Sequence, residues 1–153
     1  MSGAPLVICA PLAGTVVALA DVPDEVFAAG MVGPGVAIAP DQSATTAYCP
    51  VPGVVSKLLP HAFVIEAGSK AVLTHLGIDT VELAGEGFVV LTQEGDRIHV
   101  ADPVLKWDPT EVAAGGRSPI VVVVALEAAT HEVTVLAPPG QAVTAGTPLL
   151  SWA

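Results

Sequence analysis

A chain of 153 residues, 52% apolar and only 13% charged, is sized for one domain with a continuous core. Its net charge of −10 argues against nucleic acid and anionic membrane surfaces as partners, since both require a basic face, and favours a basic protein partner. The longest apolar run, residues 120–126, falls far short of the roughly 20 residues that cross a bilayer; with no basic opening segment either, no membrane helix or secretory signal is expected, and the cytoplasm is the expected compartment.

Valine, isoleucine, alanine and leucine dominate, and 15 Gly and 14 Pro are spread along the chain, which predicts many short strands separated by turns. Residues 11–19 open the pattern as a turn and a strand, with Pro11, Gly14, Val16 and Leu19 in a P-x-x-G-x-V-x-x-L spacing. A helical turn is expected at residues 23–29, where Asp and Thr occupy cap positions in this turn and a later one at 109–114. Gly30, Gly33 and Gly35 then mark bends that need positive φ. Residues 41–46 read as an exposed loop. At 50–58 the opening pattern returns as Pro50, Gly53, Val55 and Leu58. Residues 95–107 recur in the same way at 140–152, with Gly95 and Gly140, Pro103 and Pro148, Leu105 and Leu150, and Trp107 and Trp152 at equivalent places.

Such repetition, without any sustained 3.6-residue period, predicts an all-β fold. The expected form is an antiparallel β-sandwich or flattened barrel built from a duplicated, interlocked β motif, with short helical turns, in a single domain over residues 1–153. Cys9 and Cys49 stand in no metal or CxxC spacing and read as small core residues.

The chemistry-bearing residues gather between positions 60 and 88. Apolar strands at 62–65 and 71–74 flank a Gly68-Ser69 turn, and a histidine stands at each far end, His61 and His75. An odd-numbered turn centred on Gly68, with a bulge supplied by that glycine, places the two histidines directly opposite with Cβ atoms about 4.5 to 5.5 Å apart. A two-residue turn would send them to opposite faces. Two adjacent imidazoles can ligate zinc, share a proton, or divide the work of nucleophile and hydrogen-bond donor. His99 and His131 read as ordinary surface residues.

Five ordered motifs run through the chain. They are Ala10-Pro11-Leu12 with Gly14 and Val16, Val22-Pro23-Asp24 with Val26-Phe27 and a following glycine-rich stretch, His61-Ala62-Phe63, His75-Leu76-Gly77-Ile78-Asp79-Thr80-Val81, and Gly85-Glu86-Gly87-Phe88. In this order the sequence resembles, over nearly its whole length, the glucose-type IIA phosphocarrier domains of the bacterial sugar phosphotransferase system.

The resemblance implies a small antiparallel β-sandwich in which His75 accepts a phosphoryl group from the carrier HPr and passes it to a cysteine of the IIB domain of a sugar permease. It implies that His61 donates a hydrogen bond to the phosphoryl oxygens. Val26, Phe27 and Val32 would form an apolar docking face, and Asp24 and Asp79 an acidic pair for a partner arginine. No cofactor and no metal are implied, only a transient phosphohistidine; the membrane would be met only through the permease, and regulatory target proteins are further partners of such domains. Leu59 stands where the family usually has a threonine that relays a hydrogen bond to the first histidine. A degenerate copy kept for binding alone would therefore keep the apolar face without the chemistry. A zinc peptidase of related β topology is the other rival, but it needs a third ligand beside the His75 to Asp79 stretch.

Overall fold

All five residues of the strand Val121–Ala125 are buried, which an antiparallel strand permits only where both faces of its sheet are covered. This strand is the eleventh of fourteen in the computed structural model, which describes residues 4–153. In chain order they are β1 (Leu6–Cys9), β2 (Gly14–Ala18), β3 (Gly35–Pro40), β4 (Thr46–Tyr48), β5 (Gly53–Leu59), β6 (Ala62–Ala67), β7 (Lys70–Leu76), β8 (Val89–Val90), β9 (Arg97–Ile98), β10 (Pro103–Lys106), β11 (Val121–Ala125), β12 (Val133–Val135), β13 (Ala142–Val143) and β14 (Pro148–Trp152). Two short helices, α1 (Glu25–Ala28) and α2 (Pro109–Ala114), fall where helical turns are expected. Each is started by an aspartate, Asp24 or Asp108, whose carboxylate accepts two backbone N–H groups of the first turn.

Eight strands form one antiparallel sheet in the order β13-β2-β3-β11-β7-β6-β5-β9, and two three-stranded sheets, β1-β14-β12 and β4-β10-β8, complete the sandwich. The order reads alike from either end. The two copies of the P-x-x-G-x-V-x-x-L pattern become β2 and β5, and the two copies of the Gly-to-Trp pattern become β9-β10 and β13-β14. Each outer pair, β13 with β2 and β9 with β5, joins the early copy of one pattern to a distant copy of the other, so the halves interlock.

Alternation along the strands sets two apolar layers. Val121, Val123, Phe63, Ile65, Val72 and Leu76 point into the main core, whereas Val122 and Val124 join a smaller cluster on the opposite face with Ala37, Val22 and Ile78. Phe27, Val32 and Leu73 pack against that second cluster. Cys9 and Cys49 are buried, as their composition suggests; burial pushes the Cys49 thiol up to about 11, and its Sγ–H donates to the Val51 carbonyl at 2.8 Å.

Two sequence expectations change here. Gly35 does not adopt positive φ; it is glycine because a Cβ at that point in β3 would collide with the Val123 carbonyl of the neighbouring strand. Residues 41–46 are not wholly exposed: Ala44 is buried, its carbonyl accepts the Trp107 indole N–H at 3.0 Å, and Thr46 already belongs to β4.

Thr74 Oγ is the one fully buried side-chain polar atom without a hydrogen-bond partner among the described residues. Removing an orphaned hydroxyl relieves its desolvation cost, so Thr74→Val is expected to stabilise the fold by about 1 kcal/mol. For a chain of this size that raises the thermal midpoint by roughly 2–4 °C. Thermal melts followed by circular dichroism check this; an unchanged or lower midpoint would show that the hydroxyl has a partner.

Candidate functional site

The hairpin that carries the site closes on two residues, not an odd number. Gly68 has φ 64° and Ser69 is not in positive φ, the glycine-first arrangement of a II′ turn. The ladder therefore runs from Ala67 opposite Lys70 to Ala62 opposite His75, and the expected bulge at Gly68 is absent from the β6–β7 register. His61 is not the partner of His75. It lies one step further, where its carbonyl accepts the Leu76 N–H at 2.8 Å.

The two rings meet nevertheless, with centroids 5.0 Å apart and planes at 75°. His61 escapes the alternation because it is not in a strand. It is the second residue of the Pro60-His61 turn that joins β5 to β6, with Leu59 paired to Ala62 across it, so the pleat does not dictate where its side chain points. His75, in contrast, is fixed by pairing: it sits opposite both Ala62 and Val122 and so belongs to the face of the second apolar cluster. Phe27 on α1 closes that face, its ring 5.3 Å from the His75 ring at 60°.

A single contact orients His75. Its Nδ1 lies 2.7 Å from the Gly77 carbonyl oxygen, and because a carbonyl can only accept, Nδ1 carries the proton. Nε2 is then the ring atom with a free lone pair. Gly77 makes this possible with φ 79°, which turns the chain back at the end of β7.

Burial lowers the pKa of both rings. For His61, 7% exposed, burial is the larger cause and the neighbouring His75 the smaller. For His75 burial outweighs three opposing influences: the Gly77 carbonyl, Asp24 and Asp79. Both rings are therefore neutral at pH 7. Because the folded pKa values lie below the usual histidine value of about 6.5, the unfolded chain binds protons first as pH falls. Stability is thus expected to decline as pH drops below about 6.5, and to level off once the folded rings titrate. Thermal midpoints between pH 8 and pH 5 read this, and a double His61→Gln, His75→Gln variant should show a shallower decline; an equal decline would trace it to other groups.

The expected partner-binding residues are brought to this face in different conditions. Asp24 and Asp79 both act on the His75 charge, but Asp24 is also the α1 cap. Val26 is 48% exposed, while Phe27 and Val32 are half-buried against the cluster. Two further exposed apolar side chains lie in the same segments: Met31, whose N–H donates to the Val26 carbonyl, and Val81, two residues beyond Asp79. Sequence reasoning overlooked Gly77 and Thr80 as parts of the site, although both lie inside the quoted histidine motif. Among the described residues, no group of three or more His, Cys, Asp or Glu side chains is placed to hold a metal ion, so the His75 to Asp79 stretch gains no third zinc ligand. No helix among them is long and apolar enough to cross a membrane.

Residues 6–132 match the sequence pattern of the family described as phosphoenolpyruvate-dependent sugar phosphotransferase system, EIIA 1. The chain is 38% identical over 145 residues to the PTS system N-acetylglucosamine-specific EIICBA component of Klebsiella pneumoniae, covering 93% of this chain and 22% of that protein. It is 37% identical over 123 residues to the PTS system glucose-specific EIIA component of Oceanobacillus iheyensis, covering 76% of this chain and 73% of that protein. The solved structure of glucose permease IIA from Mycoplasma capricolum superposes with a TM-score of 0.86 at 29% identity, over 97% of this chain and 96% of that one. The chain spans about a fifth of the length of the N-acetylglucosamine-specific relatives.

Proposed function

The chain belongs to the EIIA 1 family of the phosphoenolpyruvate-dependent sugar phosphotransferase system, and on that premise we propose that it is a phosphocarrier working through His75. In this reading Nε2 of His75 takes the phosphoryl group from the phosphohistidine of HPr and gives it to a cysteine of a IIB domain. In the first step the N–P bond of HPr breaks as the Nε2–P bond forms, and the HPr ring recovers its lone pair. In the second the Nε2–P bond breaks as a thiolate forms an S–P bond, and His75 returns to its neutral state.

The observation that carries the reading is the Nδ1 to Gly77 contact, which leaves Nε2 as the nucleophilic atom beside a second imidazole. Phosphoryl transfer through a loose transition state asks the protein mainly for in-line positioning and for donors to the spreading negative charge. A neutral His61 supplies one N–H without binding the phosphate as tightly as a lysine or arginine would. The apolar surround of Phe27, Val32 and Val122 keeps water from the reacting centre. Asp24 and Asp79 would steer a basic partner.

Relatives that carry EIIB and EIIC together with EIIA in one chain support a sugar permease as the recipient. The rival reading, a binding module without chemistry, rests on Leu59 in place of a threonine. Leu59 bears on the relay to His61 alone, whereas the orientation of His75, the nucleophile of this reading, depends on a backbone carbonyl and not on the residue at position 59. The test is to incubate the protein with phosphoenolpyruvate, enzyme I and HPr and to look by mass spectrometry for one phosphoryl group in an acid-labile, base-stable adduct. Its absence with cognate HPr would overturn the phosphocarrier reading.

A further inference from the structure

The Gly77 carbonyl can hold the His75 tautomer only if the chain beyond β7 is itself held. Thr80 is 0% exposed, and its hydroxyl donates to the Leu76 carbonyl at 2.7 Å, with the Gly77 carbonyl oxygen at 3.5 Å from the same atom. Two backbone bonds tie the same loop to the segment before β11, from Gly77 N–H to the Ile120 carbonyl and from Ile78 N–H to the Ser118 carbonyl, each 2.9 Å. The Thr80 methyl also fills the space beside Gly77: a Cβ on that glycine would lie 2.5 Å from Thr80 Cγ2. The backbone from 77 to 79 is held in an uncommon conformation, positive φ at both Gly77 and Asp79, and Thr80 is the side chain that closes it back onto the strand.

We infer that Thr80 is a positioning residue for His75: its buried hydroxyl clamps the turn after β7 so that the Gly77 carbonyl faces Nδ1 and Nε2 stays unprotonated. Thr80 touches neither the transferring group nor the ring. It acts through the loop, as partners beyond the reacting groups commonly do when they fix a histidine tautomer. The inference rests on the reading of His75 as acceptor for its functional consequence, but not for its structural one.

The experiment uses the full chain with 15N-labelled histidine at pH 8, where the rings are neutral, and reads the two nitrogen shifts of His75. In the wild type one tautomer, Nδ1–H, is expected. In Thr80→Val, which keeps the bulk and loses the donor, a mixed tautomer is expected, together with phosphoryl acceptance from HPr slowed by about tenfold. Thr80→Ser should restore both. If Thr80→Val does not fold, Thr80→Ala, which adds no apolar bulk, is compared with Thr80→Ser in the same way. A single Nδ1–H tautomer in the variants that lack the hydroxyl, or an Nε2–H tautomer in the wild type, overturns the inference. Should the tautomers behave as expected while the wild type takes no phosphate, the carrier reading falls and the role of Thr80 stands.

Discussion

His75→Ala is expected to lose phosphoryl acceptance from HPr by more than about 10⁴-fold, while the fold survives. The loss is this large because the variant removes the atom that forms the bond to phosphorus, and removal of a nucleophile leaves only the background of the remaining site. Survival of the fold follows from where the ring sits. His75 faces the smaller apolar cluster, not the main core, and its ring packs edge-on against Phe27 and His61. Each aromatic contact is worth about 0.5–1.5 kcal/mol beyond buried area, so the variant should melt a few degrees lower but cooperatively. The measurement is the phosphotransfer assay read by mass spectrometry beside a thermal melt, with 31P and 15N spectra of the wild-type adduct. A phosphate found on His61, or on Nδ1 of His75, would overturn the assignment even if the overall activity were present.

The architecture could be read from the sequence because the chain repeats itself. Pro11, Gly14, Val16 and Leu19 return as Pro50, Gly53, Val55 and Leu58, and these became the equivalent strands β2 and β5. The helical turns were equally visible, since Asp24 and Asp108 each precede a short run that can be capped. Register was not visible. Gly68-Ser69 supports a two-residue turn as readily as an odd one, and the choice depends on φ at single residues, which composition does not fix.

The histidine pair was foreseen for a reason that does not hold. The two-residue register of the β6–β7 hairpin offsets positions 61 and 75 by one, which would have kept the rings on opposite faces, and they meet only because His61 belongs to the Pro60-His61 turn at the other end of β6. The orienting partner of His75 was hidden for a related reason. It is a backbone carbonyl, and every residue has one. Only the positive φ of Gly77 and the buried Thr80 distinguish it, and both are properties of the folded chain.

His61→Ala is expected to separate the two halves of the reaction. Acceptance from HPr should fall by no more than several-fold, and transfer onward to a IIB cysteine by about 10²–10³-fold, the usual cost of losing one donor to developing charge. The asymmetry comes from the charge of the attacking group. In acceptance a neutral imidazole approaches the phosphoryl group, and the positive charge that develops on the attacking His75 ring is matched by the charge relieved on the leaving HPr ring. In the onward step a thiolate approaches, so a second negative charge must be brought against the phosphoryl oxygens in a site from which water is excluded. An N–H aimed at those oxygens matters most there. His61 is suited to that work because burial and the neighbouring His75 hold its pKa down, so it gives a neutral N–H and not a full cation that would trap the phosphate. His61→Gln, which keeps an N–H donor on a side chain of comparable reach, should recover part of the onward rate, and single-turnover transfer from the isolated phosphoprotein to a IIB domain is the measurement. Equal losses in both steps would point to a general disturbance of the His75 ring through its 5.0 Å contact, and the donor role of His61 would then be abandoned.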